Sequence, residues 1–368
     1  MQALTDGSRL MTESLVRSGA DVFIGYPITP ANNLYAYSKN RFKTFLAAPD
    51  EITTMQWMCG FSIAGHLPVT ATSFPGFSLM MESINMAYMM ELPMVIVLVQ
   101  RLGPSTGTAT CGAQGDLTLL EGMLSGGYNL PVLATSKAND CWTLAEKAVK
   151  TANKLRSPVV FLTSKEEMMT QFSFDLGSLQ EISPVKRTFY SSDKTYYPYK
   201  RDENAIPAFL PVSSNKHQVR ITASTHNEQG ILEGISEAAL KNTLMISEKI
   251  EKNLGSYLEY ELDEKEDADI LLVSWGVTAN AVREAARELN NSGKTVSTFI
   301  PKTLLPLADV YVDIITKYKL IVFAEENHNS QLKKLIYGAR VPSNVHSVNK
   351  IGRMIDPMEI IEEVKKHG

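Results

Sequence analysis

Five short runs in the first half of the chain carry no charged residue and are rich in β-branched side chains: Val22 to Tyr26, Val69 to Ser73, Met94 to Val99, Val132 to Thr135 and Val159 to Thr163. A strand with polar and apolar residues alternating can face water on one side, whereas a strand with no such alternation has to be covered on both. Between the runs lie stretches with helical spacing, Ser8 to Arg17, Glu51 to His66, Leu79 to Glu91 and Trp142 to Leu155,. The alternation predicts a parallel sheet with helices on both faces. Such sheets bind ligands outside the carboxyl ends of their strands.

From about Phe172 to about Glu261 the texture changes. The segment holds "YYPYKRDENAIPAFLPV", then "ITASTHNEQG", then a polar helical pattern, and reads as an extended connection rather than a third core,. Alternation resumes at "ADILLVSWG", with strands at Ile270 to Trp275, Thr295 to Ile300 and Leu320 to Ala324. Helices are expected at Thr278 to Asn290, at Leu307 to Tyr318, and from Ser330 and Pro357. Two α/β units are expected, residues 1–230 with the connection and a smaller unit at 231–368; a chain of 368 residues is long enough for two cores,.

A formal charge of −4 and the absence of basic clusters interleaved with aromatics speak against a nucleic-acid partner,. No apolar run approaches the roughly 20 residues of a membrane span. The start "MQALTDGSRLMTES" lacks the order of a signal peptide, so a cytoplasmic protein is expected,. Cys59, Cys111 and Cys141 form no CxxC pair and the six histidines no HxH or HxxxH pair, so no metal is expected on this chain and any redox metal belongs to another.

Three strand ends carry unusual residues. In "GYPITP" two prolines fix the backbone around Thr29; either Thr29 or Asn32 suits the cap of a following helix, or the Thr29 hydroxyl is displayed to a ligand. In "APDEITTM" Asp50 suits a helix cap and Glu51 its first turn. In "QRLGPSTGTATCGAQGD" Arg101 is the first charge after an apolar strand: it either pairs with Glu121 or Asp116 or holds an anion's carboxylate through two hydrogen bonds,. The glycines there lack a Walker lysine, and no GxGxxG opens a helix, so a nucleotide fits poorly. Met80, Ile84, Met86, Ala87 and Met90 follow helical spacing and read as core.

In order, "GYPITP", "DE", "TATSFPGFSLMME", "ELP", "RLGPSTGTAT" and "QGDL" resemble the α subunit of the 2-oxoacid:ferredoxin oxidoreductases, most closely the 2-oxoglutarate type, and "YYPYK", "THNEQG", "VSWG" and "EENHNSQL" extend the likeness over nearly the whole chain. The resemblance implies a thiamine-diphosphate-binding domain of the pyrimidine type, then a smaller α/β domain like the carboxy-terminal one of transketolase. The implied reaction is oxidative decarboxylation of a 2-oxoacid to an acyl-CoA, with coenzyme A as co-substrate and electrons passed to ferredoxin. Magnesium and iron–sulfur clusters would sit on partner chains: a β subunit with the GDG motif and a cluster, and γ and ferredoxin-like δ subunits.

The resemblance also implies roles. Glu51 looks like the glutamate that touches the aminopyrimidine ring, where a carboxyl in a water-poor pocket can share a proton with the ring nitrogen. Phe74 and Gly76 would lie beside the cofactor, Phe74 standing where the family usually has a glycine. Thr29 and Arg101 look like the residues that hold the 2-oxoacid, with Ser105, Thr106 and Gly107 letting the loop close around it. "SGGYN" and Ser330 also depart from the pattern, which bears on substrate identity more than on reaction class. Pyruvate or a branched-chain 2-oxoacid, a partner-binding chain without catalysis, and a transketolase-like transferase are the rival readings.

Overall fold

The computed structural model describes residues 1–214 and 216–368; Asn215, inside the expected connection, lies outside the described residues. The first part of the chain runs β1 (Gln2–Thr5), α1 (Gly7–Arg17), β2 (Val22–Gly25), α2 (Asn32–Arg41), β3 (Thr44–Ala47), α3 (Glu51–Ile63), β4 (Pro68–Thr72), α4 (Phe74–Met89), β5 (Met94–Gln100), α5 (Leu117–Gly122), β6 (Val132–Ala134), α6 (Asp140–Leu155), β7 (Pro158–Ser164), α7 (Lys165–Met169) and β8 (Phe172–Asp175). After the connection come α8 (Glu237–Lys252), β9 (Tyr260–Asp263), β10 (Ile270–Val273), α9 (Ala279–Asn291), β11 (Val296–Pro301), β12 (Thr303–Leu305), α10 (Asp309–Ile315), β13 (Leu320–Glu325), α11 (Gln331–Tyr337), β14 (Val345–Asn349) and α12 (Pro357–His367).

All five strands expected in the first half form, as β2, β4, β5, β6 and β7, in a seven-stranded sheet of order β12-β6-β7-β5-β4-β2-β3 that is parallel except at β12. The seven residues of β5 are all buried. The chain steps from β2 to β3 toward one edge and then crosses back over β2 to β4 and β5. Right-handed crossovers therefore put α2 on one face, where α1 packs against it and α6, and put the paired α3 and α4 on the other,. The second sheet has the order β14-β13-β10-β11-β9, with β9 antiparallel.

Local chemistry sets the helix starts. Asp6 accepts from the Arg9 amide at 2.9 Å and Asp50 from the Thr53 amide at 2.7 Å, and capping boxes open α7 and α12,. The helix expected from Leu79 begins five residues earlier at Phe74, because Pro75 sits in its first turn, where no amide donor is needed,. Met80, Ile84 and Ala87 are buried and Met86 and Met90 pack against that core, as their spacing suggests. The first core continues without a break into one face of the second sheet through Leu271, Val273, Phe299 and Phe323. A separate core on that sheet's other face joins Leu272, Val322, Val282 and Ile360.

The connection between β8 and α8 holds a single 3-10 turn, Leu176–Ser178, and isolated bridges, and is otherwise irregular among its described residues. A buried carboxylate pins it. Glu91, just past α4, accepts 2.8 and 2.9 Å hydrogen bonds from Arg201 of the connection and a 2.6 Å bond from Lys249 of α8. Burial pushes the Glu91 carboxyl up, but Lys249 and Arg201 outweigh it and hold it at about 2; burial pulls Lys249 down to about 8 against the pull of Glu91. Ile246 and Ile250 of α8 complete the contact in the first core.

Removing one partner of such a cluster strands the others in a low-dielectric interior. Glu91→Ala is expected to lower unfolding stability by about 3 to 5 kcal/mol. Urea denaturation measures it, and a loss below about 1 kcal/mol would show that the connection is held by other contacts.

Candidate active site

The strand order sets β3, β2, β4 and β5 side by side, about 4.8 Å apart,. The residues that follow their carboxyl ends are thereby collected at one edge: Glu51 at the start of α3, Thr29 after β2, Gly76 in the first turn of α4, and Arg101 directly after β5. The winding reverses beside β2, which is where an open α/β sheet leaves a crevice for ligands.

Glu51 is 7% exposed, yet no hydrogen bond reaches its carboxyl among the described residues. It lies directly on the backbone of Gly76: a Cβ there would stand 2.6 Å from Glu51 Oε1 and would also collide with Thr72 Oγ1. Glycine at 76 is thus required by close approach, not by turn geometry. Phe74 is half-buried at the head of α4, and the Ser73 hydroxyl beside it has no partner.

Arg101 is 6% exposed and donates from Nη1 to the Thr29 carbonyl at 2.6 Å, while its Nε has no acceptor. The pairing with Glu121 or Asp116 weighed from the sequence does not form, so the cation lacks a carboxylate among the described residues. Neither Thr29 nor Asn32 caps α2: Ala31 holds the cap position without a side-chain bond, and Asn32 Nδ2 donates instead to Thr29 Oγ1 at 3.0 Å. That bond closes the turn between Pro27 and Pro30 on itself and turns the carbonyl of Thr29 to the guanidinium.

The loop from Leu102 to Asp116 folds back through the bonds Leu102 N to Cys111 O, 2.8 Å, and Thr108 N to Leu102 O, 2.9 Å. Gly107 has φ +52°, and a Cβ there would strike the Leu102 carbonyl, so the turn needs glycine. Ser105 and Thr106 are exposed at its tip, and their hydroxyls bond to nothing among the described residues. The far end of the loop is fixed by residues that spacing did not reveal. The Gly112 amide donates to Glu166 Oε1 at 3.2 Å. Gln114, fully buried, reaches into the second unit: its Oε1 accepts from Thr278 Oγ1 at 2.8 Å and from the Glu326 amide at 2.7 Å, and its Nε2 donates to the Trp275 carbonyl. The only sequence signal for these contacts was the strings "QGDL", "VSWG" and "EENHNSQL", which meet here.

The edge is bordered by exposed apolar side chains: Tyr26 at 40%, and Ile52, Trp57 and Leu79 on the paired helices α3 and α4. Apolar surface next to a buried carboxyl without a partner is the signature of a cleft completed by another surface. A cation after β5 and an unpartnered carboxyl after β3, at the same edge of the sheet, can hold an anionic reactant and a proton in one cleft.

The sequence pattern of the pyruvate flavodoxin/ferredoxin oxidoreductases, thiamine-diphosphate-binding, matches residues 13–238. The chain is 31% identical over 362 residues to 2-oxoglutarate synthase subunit KorA of Methanocaldococcus jannaschii, with 97% of each covered. It superposes with a TM-score of 0.92, at 27% identity, on a 2-oxoglutarate:ferredoxin oxidoreductase from Magnetococcus marinus solved with 2-oxoglutarate, coenzyme A and succinyl-CoA bound. All of this chain is covered and 65% of that one, so it spans less than two thirds of that length. A split-gene transketolase shares the fold at a TM-score of 0.56 and 15% identity. No described helix is long and apolar enough to cross a membrane.

Asp116, which closes the loop, is buried with Oδ2 unpartnered, and burial raises its carboxyl from the usual 3.8 to about 7. A raised folded-state value stabilises fully below the unfolded value and loses that contribution as pH rises through about 7,. Asp116→Asn removes the ionisation, so its stability relative to the parent should rise between pH 5 and pH 8 by on the order of 1 kcal/mol or more. Urea unfolding at both values tests this; parallel pH profiles would refute it.

Proposed function

The chain belongs to the pyruvate flavodoxin/ferredoxin oxidoreductase family, and from that premise we propose that it is the α subunit of a thiamine-diphosphate-dependent 2-oxoglutarate:ferredoxin oxidoreductase. The complex converts 2-oxoglutarate and coenzyme A to an acyl-CoA and carbon dioxide, passing electrons to ferredoxin in the cytoplasm. The observation that carries the proposal is Glu51: a buried carboxyl without a partner, seated on a glycine, beside an apolar face.

These residues fit half of a thiamine diphosphate site. The Glu51 carboxyl has no partner among the described residues and can take a polar ring nitrogen, and Tyr26, Ile52 and Leu79 offer apolar surface for the ring system and for the chain that closes over it. The diphosphate and its magnesium are assigned to the β subunit. The iron–sulfur clusters are also assigned to partners, since burial pushes the thiols of Cys59, to about 12, and of Cys141 upward, away from the thiolate a cluster needs,. Subunits of the γ and ferredoxin-like δ type complete the assembly.

When bound, thiamine diphosphate supplies the nucleophilic carbon and the electron sink for decarboxylation. This chain supplies position and protons. Glu51 holds a proton against the pyrimidine nitrogen. Arg101, already fixed by the Thr29 carbonyl, presents its remaining donors to a carboxylate of the incoming acid,. Thr29 sets the approach of the keto oxygen from the same turn, so the reactant arrives with little orientational freedom to lose.

In the assembled complex, Glu51→Gln should cut kcat tenfold or more, and Arg101→Ala should act mainly by raising KM for the 2-oxoacid. Gly76→Ala, whose methyl displaces the Glu51 carboxyl, should resemble Glu51→Gln. Parallel assays with 2-oxoglutarate, pyruvate and a branched-chain 2-oxoacid measure selectivity; equal rates would defeat the substrate assignment, and full activity of Glu51→Gln the catalytic one.

A further inference from the structure

At the opposite edge of the first sheet, where β4, β5 and β7 begin, the connection covers a cavity of about 940 Å³. Lys154, Lys186, Lys194 and Lys200 line it, and none of them forms an ion pair among the described residues; Asp202 is the one carboxylate in the lining. Arg187 is spent elsewhere, on Asp21 at 3.1 Å. With four exposed lysines unpaired among the described residues around one space, the cavity favours anions over cations,.

The wall beneath adds to the imbalance. Arg156 and Arg201 line the cavity, and with Lys249 they surround one fully buried carboxylate, that of Glu91. Arg156 is 3% exposed; its Nη1 donates to the carbonyls of Pro198, Pro207 and Ala208, while Nε and Nη2 have no acceptor. It also sits at φ +48°, where the end of a helix favours glycine,. A large cation is kept in a conformation that resists it, with donors to spare.

We infer that this cavity binds a small anion bearing a diphosphate group. Flexible lysines supply point charges to phosphate oxygens, and behind them Arg156 Nε and Nη2 have no acceptor among the described residues,. Phe189 and Tyr197 in the same lining offer ring surfaces, while Phe209 is covered by the Arg156 guanidinium,. The diphosphate can come as the inorganic ion or on a nucleoside, and the rings distinguish the two. The site is separate from the cleft at the carboxyl edge, since β5 and β7, seven residues each, place roughly 20 Å between the two edges,.

The test uses the assembled complex saturated with thiamine diphosphate, so that the cofactor site is filled, and without coenzyme A. Calorimetric titration with inorganic pyrophosphate and with ADP should show one site per copy of this chain, weakening as salt rises. The exposed pair Lys186→Glu/Lys200→Glu should weaken binding tenfold or more with turnover of the 2-oxoacid unchanged. Tighter binding of ADP would assign the nucleoside form, and equal or tighter binding of pyrophosphate the inorganic one. No heat from either at 5 mM, or binding indifferent to the double charge reversal, would overturn the inference.

Discussion

The candidate site depends on one constraint, the reversal of winding at β2. Crossovers between parallel strands are right-handed, so stepping first to β3 and then back to β4 sends α2 to one face and α3 and α4 to the other. The carboxyl edge lies between these two layers, and the four turns that end there come from neighbouring strands. Glu51, Thr29, Gly76 and Arg101 are far apart in sequence and meet because those strands are neighbours. The unpartnered Glu51 carboxyl is tolerable for the same reason, since the edge can receive a second surface, whereas Arg101 Nε is buried without an acceptor among the described residues.

What the sequence disclosed follows from how local each feature is. The uncharged β-branched runs named every central strand, because a strand buried on both faces leaves a mark in its own residues. The edge strands left little: β3 is four residues, none of them fully buried, and β12 is three residues added antiparallel from the second unit. The Asp50 cap and the first-turn position of Glu51 were legible because capping acts over three residues. The state of Arg101 was not, because Asp116, near in sequence, is turned inward by a loop anchored elsewhere. Gln114 was opaque, since its partners lie more than 160 residues away.

The connection shows what an irregular segment needs to stay in place. Lacking a ladder, it must satisfy its polar groups piecemeal, and it does so with ions and rings: Arg201 on Glu91, and Tyr199 tilted against His226 with ring centroids 3.8 Å apart. The strings "ELP", "YYPYK" and "THNEQG", scattered over some 140 positions of the sequence, are thereby one contact. Glu91 and Arg156 both occupy left-handed conformations directly after helices. Side-chain charge at those two positions outweighs the backbone preference for glycine, which marks the ion cluster as a selected feature of the fold.

The second unit enters the site without contributing a side chain to it. In its sheet, too, the winding reverses, from β10 to β11 on one side and to β13 and β14 on the other, and this opens a crevice between the ends of β10 and β13,. In folds of this kind that crevice receives a ligand; here it receives Gln114, bonded to Trp275 and Thr278 after β10 and to Glu326 after β13. Gly276, at φ +61°, leaves the room, since a Cβ would lie 2.6 Å from Gln114 Nε2. One unit's ligand crevice has become the anchor for the loop that starts at Arg101. Because the loop is pinned at Arg101 by the first sheet and at Gln114 by the second, any shift between the units must be taken up by the glycine-rich turn between them. The glycines between Arg101 and Gln114 are therefore best understood as slack in a tether, and the rigidity of the anion clamp is set by how firmly the two units are joined.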